Sequence, residues 1–227
     1  MNTFKNSPFD PSGQDLLNLA AFVPQTRVLG PGSRAGVWVQ GCTFVCPGCI
    51  APEWKPLQVN QLTSVKELAQ RILAEPVDGI TLSGGEPFLQ APALAELMRL
   101  IRQQREINCI TFTGFIYSAL LHTPQAKPLL DQVDLLVDGS YVASRNPGIG
   151  MRGSDNQRFH FLTDRLADCD YPFETTPRRT ELHFRGNDLL IVGIPAHGMQ
   201  MALDRAIESA QAKSAWSSAQ MPLEIRL

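Results

Sequence analysis

Four short apolar runs recur along the chain, and each closes at or beside a glycine. They are "RAGVWVQG" (34–41), "DGITLSGGEPF" (78–88), "INCITFTG" (107–114) and "VDLLVDG" (133–139). Val, Ile, Leu and Thr recur in them, as in buried strands. The stretches between them follow a different period. "SVKELAQRILAE" (64–75) sets Val65, Leu68, Ala69 and Ile72 three and four apart, with Ser64 at the N-cap position. "APALAELMRLIRQQR" (91–105) repeats that period with Pro92 in its first turn. "YSALLHTPQAKPLLDQV" (117–133) is cut by two prolines into short helical pieces. Strands alternating with helices call for a parallel sheet in an α/β fold. The crossovers are right-handed, so the loops that leave the strands share one edge. Loops opening at Gly41, Gly84, Thr113 and Asp138 then converge where α/β folds keep their chemistry.

The first of those loops holds the most telling residues. "GCTFVCPGCIAPEW" (41–54) packs Cys42, Cys46 and Cys49 into eight residues, spaced Cys-x3-Cys-x2-Cys. A chain of 227 residues with five cysteines does not need disulfide staples, and clustered thiols point to metal or redox chemistry. Structural zinc asks for four Cys or His ligands. The nearest histidine, His122, lies more than seventy residues on, so the fold would have to bring it in. A conventional iron–sulfur site asks for a fourth thiol, which Cys109 or Cys169 would have to supply. The remaining reading is a [4Fe–4S] cluster held by three thiolates, with its fourth iron open to a ligand. Pro47 and Gly48 suit the tight turn that brings backbone amides up to cluster sulfurs.

Charge and patterning narrow the class. Twenty basic and 22 acidic side chains leave a net charge of -2, which offers no broad field for nucleic acid. No apolar run reaches membrane-spanning length, and the first residues lack the form of a signal peptide. The expectation is a cytoplasmic protein. Residues 1–30 show one helical piece, near "QDLLNLAAF". "SYVASRNPGIGMRGSDNQR" (140–158) is a polar, glycine-rich surface loop or lid. "TELHFRGNDLLIVGIP" (180–195) reads as a hairpin turning at Gly186-Asn187, and 197–213 as an amphipathic helix.

Taken with "SGGEP" (83–87) on the next strand's loop, the cysteine motif resembles that of the radical S-adenosylmethionine (SAM) enzymes. The likeness narrows further. "GPGSRAGVWVQGC" (30–42), "CPGC" (46–49), "GITLSGGEPFLQ" (79–90), "FTGF" (112–115), "DLLVDGSYV" (134–142) and "RGSDNQR" (152–158) resemble the activating enzymes of glycyl radical enzymes, above all those of anaerobic (class III) ribonucleotide reductase. Most radical SAM enzymes place an aromatic residue where Gly48 stands. The resemblance implies a partial (β/α)6-type barrel of parallel strands over residues 30–163. It leaves an N-terminal extension at 1–29 and a C-terminal hairpin-and-helix extension at 164–227, which those shorter enzymes lack.

It also implies roles. Cys42, Cys46 and Cys49 bind the cluster, and SAM chelates the open iron. Gly48, Cys49 and Ile50 run past the adenine, unless Ile50 is a core residue. Gly84, Gly85 and Glu86 meet the methionine end, where a carboxylate suits an ammonium. Thr113 and Gly114 touch SAM or merely end a strand. Asp138 makes a cation or ribose contact or is an exposed turn residue. Arg152, Asn156 and Arg158 lie in a loop near the site or in a solvated one. His122, His160, His183 and His197 read as structural or surface residues. The implied reaction is reductive cleavage of SAM to a 5′-deoxyadenosyl radical. That radical takes hydrogen from a glycine of a partner glycyl radical enzyme, with electrons from a flavodoxin-like donor. Two other readings stay open: a radical SAM enzyme on a small molecule or peptide, of the deazaguanine synthase kind, and a zinc-stabilised interaction module.

Overall fold

The structure is a computed structural model that describes residues 10, 12–185 and 188–195, with 198, 199, 202, 205, 209 and 224–226. The strands in it are β1 (Leu16–Thr26), β2 (Arg34–Val39), β3 (Gln61–Ser64), β4 (Gly79–Gly84), β5 (Asn108–Phe112), β6 (Leu135–Asp138), β7 (Arg158–Phe161), β8 (Glu181–Arg185), β9 (Asp188–Val192) and β10 (Glu224–Arg226). The α-helices are α1 (Val65–Leu73), α2 (Ala91–Arg102), α3 (Tyr117–Leu121) and α4 (Lys127–Leu130).

The first seven strands form one sheet in the order β3-β1-β2-β4-β5-β6-β7. Its centre is parallel: β2, β4, β5 and β6 run side by side, as the alternation of strand and helix requires. The flanks are antiparallel, through β1 on β2, β3 on β1 and β7 on β6. Among the described residues β3 and β7 stand at opposite ends, so the sheet is mixed and its edges are not paired into a closed barrel.

The expected helix near Leu16–Phe22 is instead β1. Leu17, Asn18 and Leu19 are all fully buried, because β1 has helix α1 on one side and further chain on the other. A strand buried on both faces shows no alternation, and its apolar run fits a helix equally well. Ser64 ends β3 and makes no capping bond to α1.

Alternation within the central strands divides the core. Val37, Val39, Ile80, Leu82, Cys109 and Leu136 face α1, α2 and the short helices. Trp38, Ile110, Leu135 and Val137 face away from them. That second face is covered by the tail. Leu190 and Val192 of β9 join Trp38, Trp54, Ala21 and Val23, while Leu166 and Phe173 join Ile110, Leu135 and Val137. β8 and β9 pair antiparallel as the expected hairpin, with β10 parallel to β9. The residues of the hairpin turn and most of the expected helix at 197–213 lie outside the described residues. Among the described residues no helix is long and apolar enough to cross a membrane.

Candidate metal centre

The cysteine loop leaves β2 and doubles back. The Gly41 amide donates to the Trp54 carbonyl at 2.8 Å and the Cys42 amide to that of Lys55 at 2.9 Å. Inside this closure the Cys49 amide donates to the Cys46 carbonyl at 3.2 Å. Pro47 follows Cys46 and Gly48 has φ +74°, so Cys46–Cys49 has the arrangement of a type II turn. All three cysteines are free and partly exposed. Burial pushes the Cys42 thiol up to about 11, against the Phe44 amide that donates to its sulfur at 3.4 Å. Bonding to a metal would reverse that preference, because a coordinating thiol is deprotonated.

Cys109 does not join them. It pairs with Ile80, which pairs with Ala35 near the start of β2, about 13 Å of strand short of the end that carries the loop. Cys169 packs on the sheet's other face beside Leu166, to whose carbonyl it donates. Neither stands as a fourth ligand. Nor does His122, which is exposed at the end of α3 with Nδ1 on Ser118 O. Among the described residues no three His, Cys, Asp or Glu side chains gather around a point for one metal ion. Three accessible thiols on a glycine-bearing turn, backed by loop amides, fit a cluster that takes one thiolate per iron.

The other three loops close on this one. At the end of β4, the Gly85 amide donates to Val39 O and the Glu86 amide to Gly41 O, both at 2.8 Å. A Cβ on Gly85 would lie 2.2 Å from the Gly41 oxygen, and Gly84 has φ +111°. The two glycines therefore bring the β4 loop against the base of the cysteine loop, backbone to backbone. Gly85→Ala is expected to cost about 1–3 kcal/mol through this clash, read as a fall in melting temperature. From the β5 loop, Phe115 meets Phe44 edge-on with ring centroids 4.8 Å apart, and a Cβ on Gly114 would lie 2.6 Å from the Phe44 ring. From the β6 loop, Tyr141 and Ala143 lie beside Gly48.

Glu86 was expected to offer its carboxylate to an ammonium. The side chain is only 1% exposed, and its oxygens are already bound. Oε1 accepts from the Phe88 amide at 3.0 Å and the Thr113 hydroxyl at 2.8 Å, and Oε2 from the Gly114 amide at 2.8 Å. Burial pushes this carboxyl up to about 7 despite those three donors. Glu86 thus ties the loops of β2, β4 and β5 together, and Thr113 and Gly114 meet it rather than simply ending a strand.

Asp138 is not an exposed turn residue. It is buried at the end of β6, where Oδ2 accepts from the Tyr117 amide at 2.6 Å and lies 3.1 Å from His160 Nε2. That contact lacks the angle of a hydrogen bond, and the His160 ring stands 4.7 Å from the Tyr117 ring. Ile50 is no core residue, being 41% exposed on the cysteine loop. The loop after β6 is exposed along residues 142–145 and fastened by hydrogen bonds at its base. Asn156 Nδ2 donates to Ser140 O, Arg152 to Gln157 O, and the Gln157 side chain bridges Gly139 O to the amides of Gly153 and Ser154. Arg158 is exposed opposite Asp138 in the β6–β7 register.

The cysteine loop falls within a stretch that resembles known proteins. Residues 28–160 match the 4Fe-4S single cluster domain family. The chain is 32% identical over 158 residues to the anaerobic ribonucleoside-triphosphate reductase-activating protein of Vibrio cholerae, spanning 65% of this chain and 99% of that one. The proteins of the same name from Escherichia coli K12 and phage T4 are 31% and 30% identical. They cover 64% and 65% of this chain and 99% and 96% of their own lengths. Among solved structures, QueE from Escherichia coli overlaps 48% of this chain and 57% of its own at a TM-score of 0.38 and 14% identity, too little to bear on the fold. With its cysteine loop inside the matched 4Fe-4S domain, the chain belongs to the family of anaerobic ribonucleoside-triphosphate reductase-activating proteins.

Proposed function

We propose that Cys42, Cys46 and Cys49 hold a [4Fe–4S] cluster whose fourth iron takes SAM, and that the chain activates a glycyl radical enzyme of the anaerobic ribonucleotide reductase type. The observation that carries this reading is the three-thiol turn, without a fourth thiol among the described residues at its edge of the sheet, walled by the three loops that follow it. When bound, the cluster and SAM supply the reducing electron and the 5′-deoxyadenosyl radical that takes a hydrogen atom from a glycine Cα.

The chain's own residues bind and orient. Gly48, Cys49 and Ile50 run past the adenine, and Gly84 and Gly85 line the methionine end through their backbone. Glu86 acts through its main chain and through Thr113 and Gly114, which its carboxylate fixes. Asp138 steadies the start of α3 beside them. The four parallel strands are the centre of a partial (β/α)6-type barrel over residues 30–163. A protein substrate suits the rim of the site, where Val45, Ile116 and Val142 are 88%, 58% and 37% exposed. Apolar side chains ringing a site favour a protein surface over water. The electron donor is flavodoxin-like and the compartment cytoplasmic, with no nucleic acid or membrane involved.

The test is anaerobic reconstitution, then reduction with SAM in the presence of the cognate reductase. The expected result is SAM cleavage together with a paramagnetic doublet on the reductase, from the one hydrogen left on the glycyl carbon. SAM cleavage with no radical on the reductase would move the substrate to a small molecule. Stoichiometric zinc with no cleavage would end the radical reading.

A further inference from the structure

The loop between β6 and β7 walls the Cys46–Cys49 turn, and its outer side is gripped by an arginine beyond the residues matched to the 4Fe-4S domain. Arg178 donates through Nη1 to Asn146 Oδ1 at 2.8 Å and through Nη2 to Arg152 O at 2.8 Å. Its Nε reaches Gly150 O at 3.3 Å, and Nη2 also lies 3.4 Å from the carbonyls of Ile149 and Gly153. None of these acceptors is a carboxylate. The guanidinium is a planar fork of five N–H groups, and here all three nitrogens hold one stretch of irregular chain. The neighbouring backbone reinforces the grip, with the Gly150 amide on Thr176 O at 2.9 Å and the Met151 amide on Phe173 O at 2.8 Å.

From the gripped stretch, contacts run to the cysteines. Asn146 Nδ2 donates to the Tyr141 hydroxyl at 3.2 Å, and a Cβ on Gly153 would lie 3.0 Å from the Tyr141 ring. Val142 is held by the Ser154 hydroxyl at 3.1 Å. At the inner end, a Cβ on Gly48 would stand 3.4 Å from the Ala143 methyl and 3.7 Å from the Tyr141 ring. The base of the loop fastens itself through Gln157 and Asn156, whereas residues 146–152 lean on the segment 173–178.

We propose that Arg178 is a positioning residue of the cluster site: it fixes the β6–β7 loop and, through Tyr141 and Ala143, the backbone of the Cys46–Cys49 turn. The claim that this turn serves a cluster and SAM rests on the function proposed above; the mechanical link does not.

Amide hydrogen exchange on the purified full chain tests the link without cluster or partner. Arg178→Met keeps the aliphatic stem and removes every donor. It is expected to speed exchange at Gly150, Gly153 and Cys49 at least about tenfold, since losing a charge-assisted bond opens the segment it held. The amides of β2, β4 and β5 should not change. Arg178→Lys, a point charge in place of a fork, should fall between. After reconstitution, Arg178→Met should keep its iron yet raise the SAM concentration that half-saturates the change in the reduced cluster's spectrum by about tenfold. Unchanged exchange at Cys49 would overturn the proposal, whatever happens at Gly150. If Arg178→Met fails to fold, Asn146→Ala cuts the same chain of contacts midway and must speed exchange at Cys49, or the proposal fails. A chain that shows the coupling but never cleaves SAM would sink the function and leave the positioning role standing.

Discussion

Serine at Cys42, Cys46 or Cys49 is expected to abolish SAM cleavage and to leave a colourless protein that still folds. On the ligand set proposed above each thiolate would hold a separate iron, so losing any one would leave a second iron open and the cluster without its anchor. The fold should survive because the loop is closed by other atoms: Gly41 and Cys42 donate through their backbone amides to Trp54 and Lys55, and Glu86 meets Gly41 through its own amide. Melting temperatures of the metal-free variants should therefore stay near the parent's, while iron and sulfide fall from about four per chain to near none. Two controls give the prediction its edge. Cys109→Ser and Cys169→Ser should both keep the cluster and the cleavage. Cys109→Ser should be somewhat destabilised, since it places a hydroxyl in a fully buried site among Ile80, Leu136 and the α2 side chains. Loss of the cluster in Cys109→Ser with retention in Cys46→Ser would reverse the ligand assignment. Iron analysis and the visible absorption of the reconstituted proteins distinguish the two outcomes.

The parallel centre of the sheet was legible because its strands are short, apolar and separated by amphipathic helices. Parallel neighbours leave few other topologies once handedness is fixed. The cysteine turn was legible for a local reason: Pro47 and Gly48 favour a turn wherever they fall, here between Cys46 and Cys49. β1 was not legible. Its cover β9 comes from a distant part of the chain, and burial on both faces erased the alternation that marks a strand. Arg178 left no trace either. Four of its five acceptors are backbone carbonyls 25–29 residues upstream, and backbone acceptors carry no residue type to read. Glu86 and Asp138 were found as residues but not in their employment. A carboxylate beside a ligand and one that ties loops together look alike in sequence, and only the positions of Thr113, Gly114 and Tyr117 separate them.

Glu86→Gln and Glu86→Ala should separate stability from chemistry at that knot of loops. Alanine leaves the Phe88 and Gly114 amides and the Thr113 hydroxyl without their acceptor, which costs about 3 kcal/mol or more if water does not enter. Glutamine keeps the shape and one acceptor oxygen for Phe88 and Thr113. Its amide nitrogen then faces the Gly114 amide, donor against donor, and pushes the β5 loop from Phe44 and the cysteine turn. Glutamine should therefore lose less stability than alanine, keep the cluster and still bind SAM poorly. The pH dependence has a definite sign. Glu86 ordinarily titrates at 4.5 and is raised to about 7 in the fold, so between those values the folded chain holds a proton that the unfolded chain has released. Stability from this group is greatest below the lower value, declines as pH rises through the window and is level above it. Glu86→Gln cannot titrate, so its deficit against the parent should shrink from pH 4.5 to 7 and then hold constant. Thermal unfolding of the metal-free parent and variant across that range reads the difference directly. Parallel curves would mean that the three donors keep the carboxylate ionised throughout, and that burial at this site is outweighed by its hydrogen bonds.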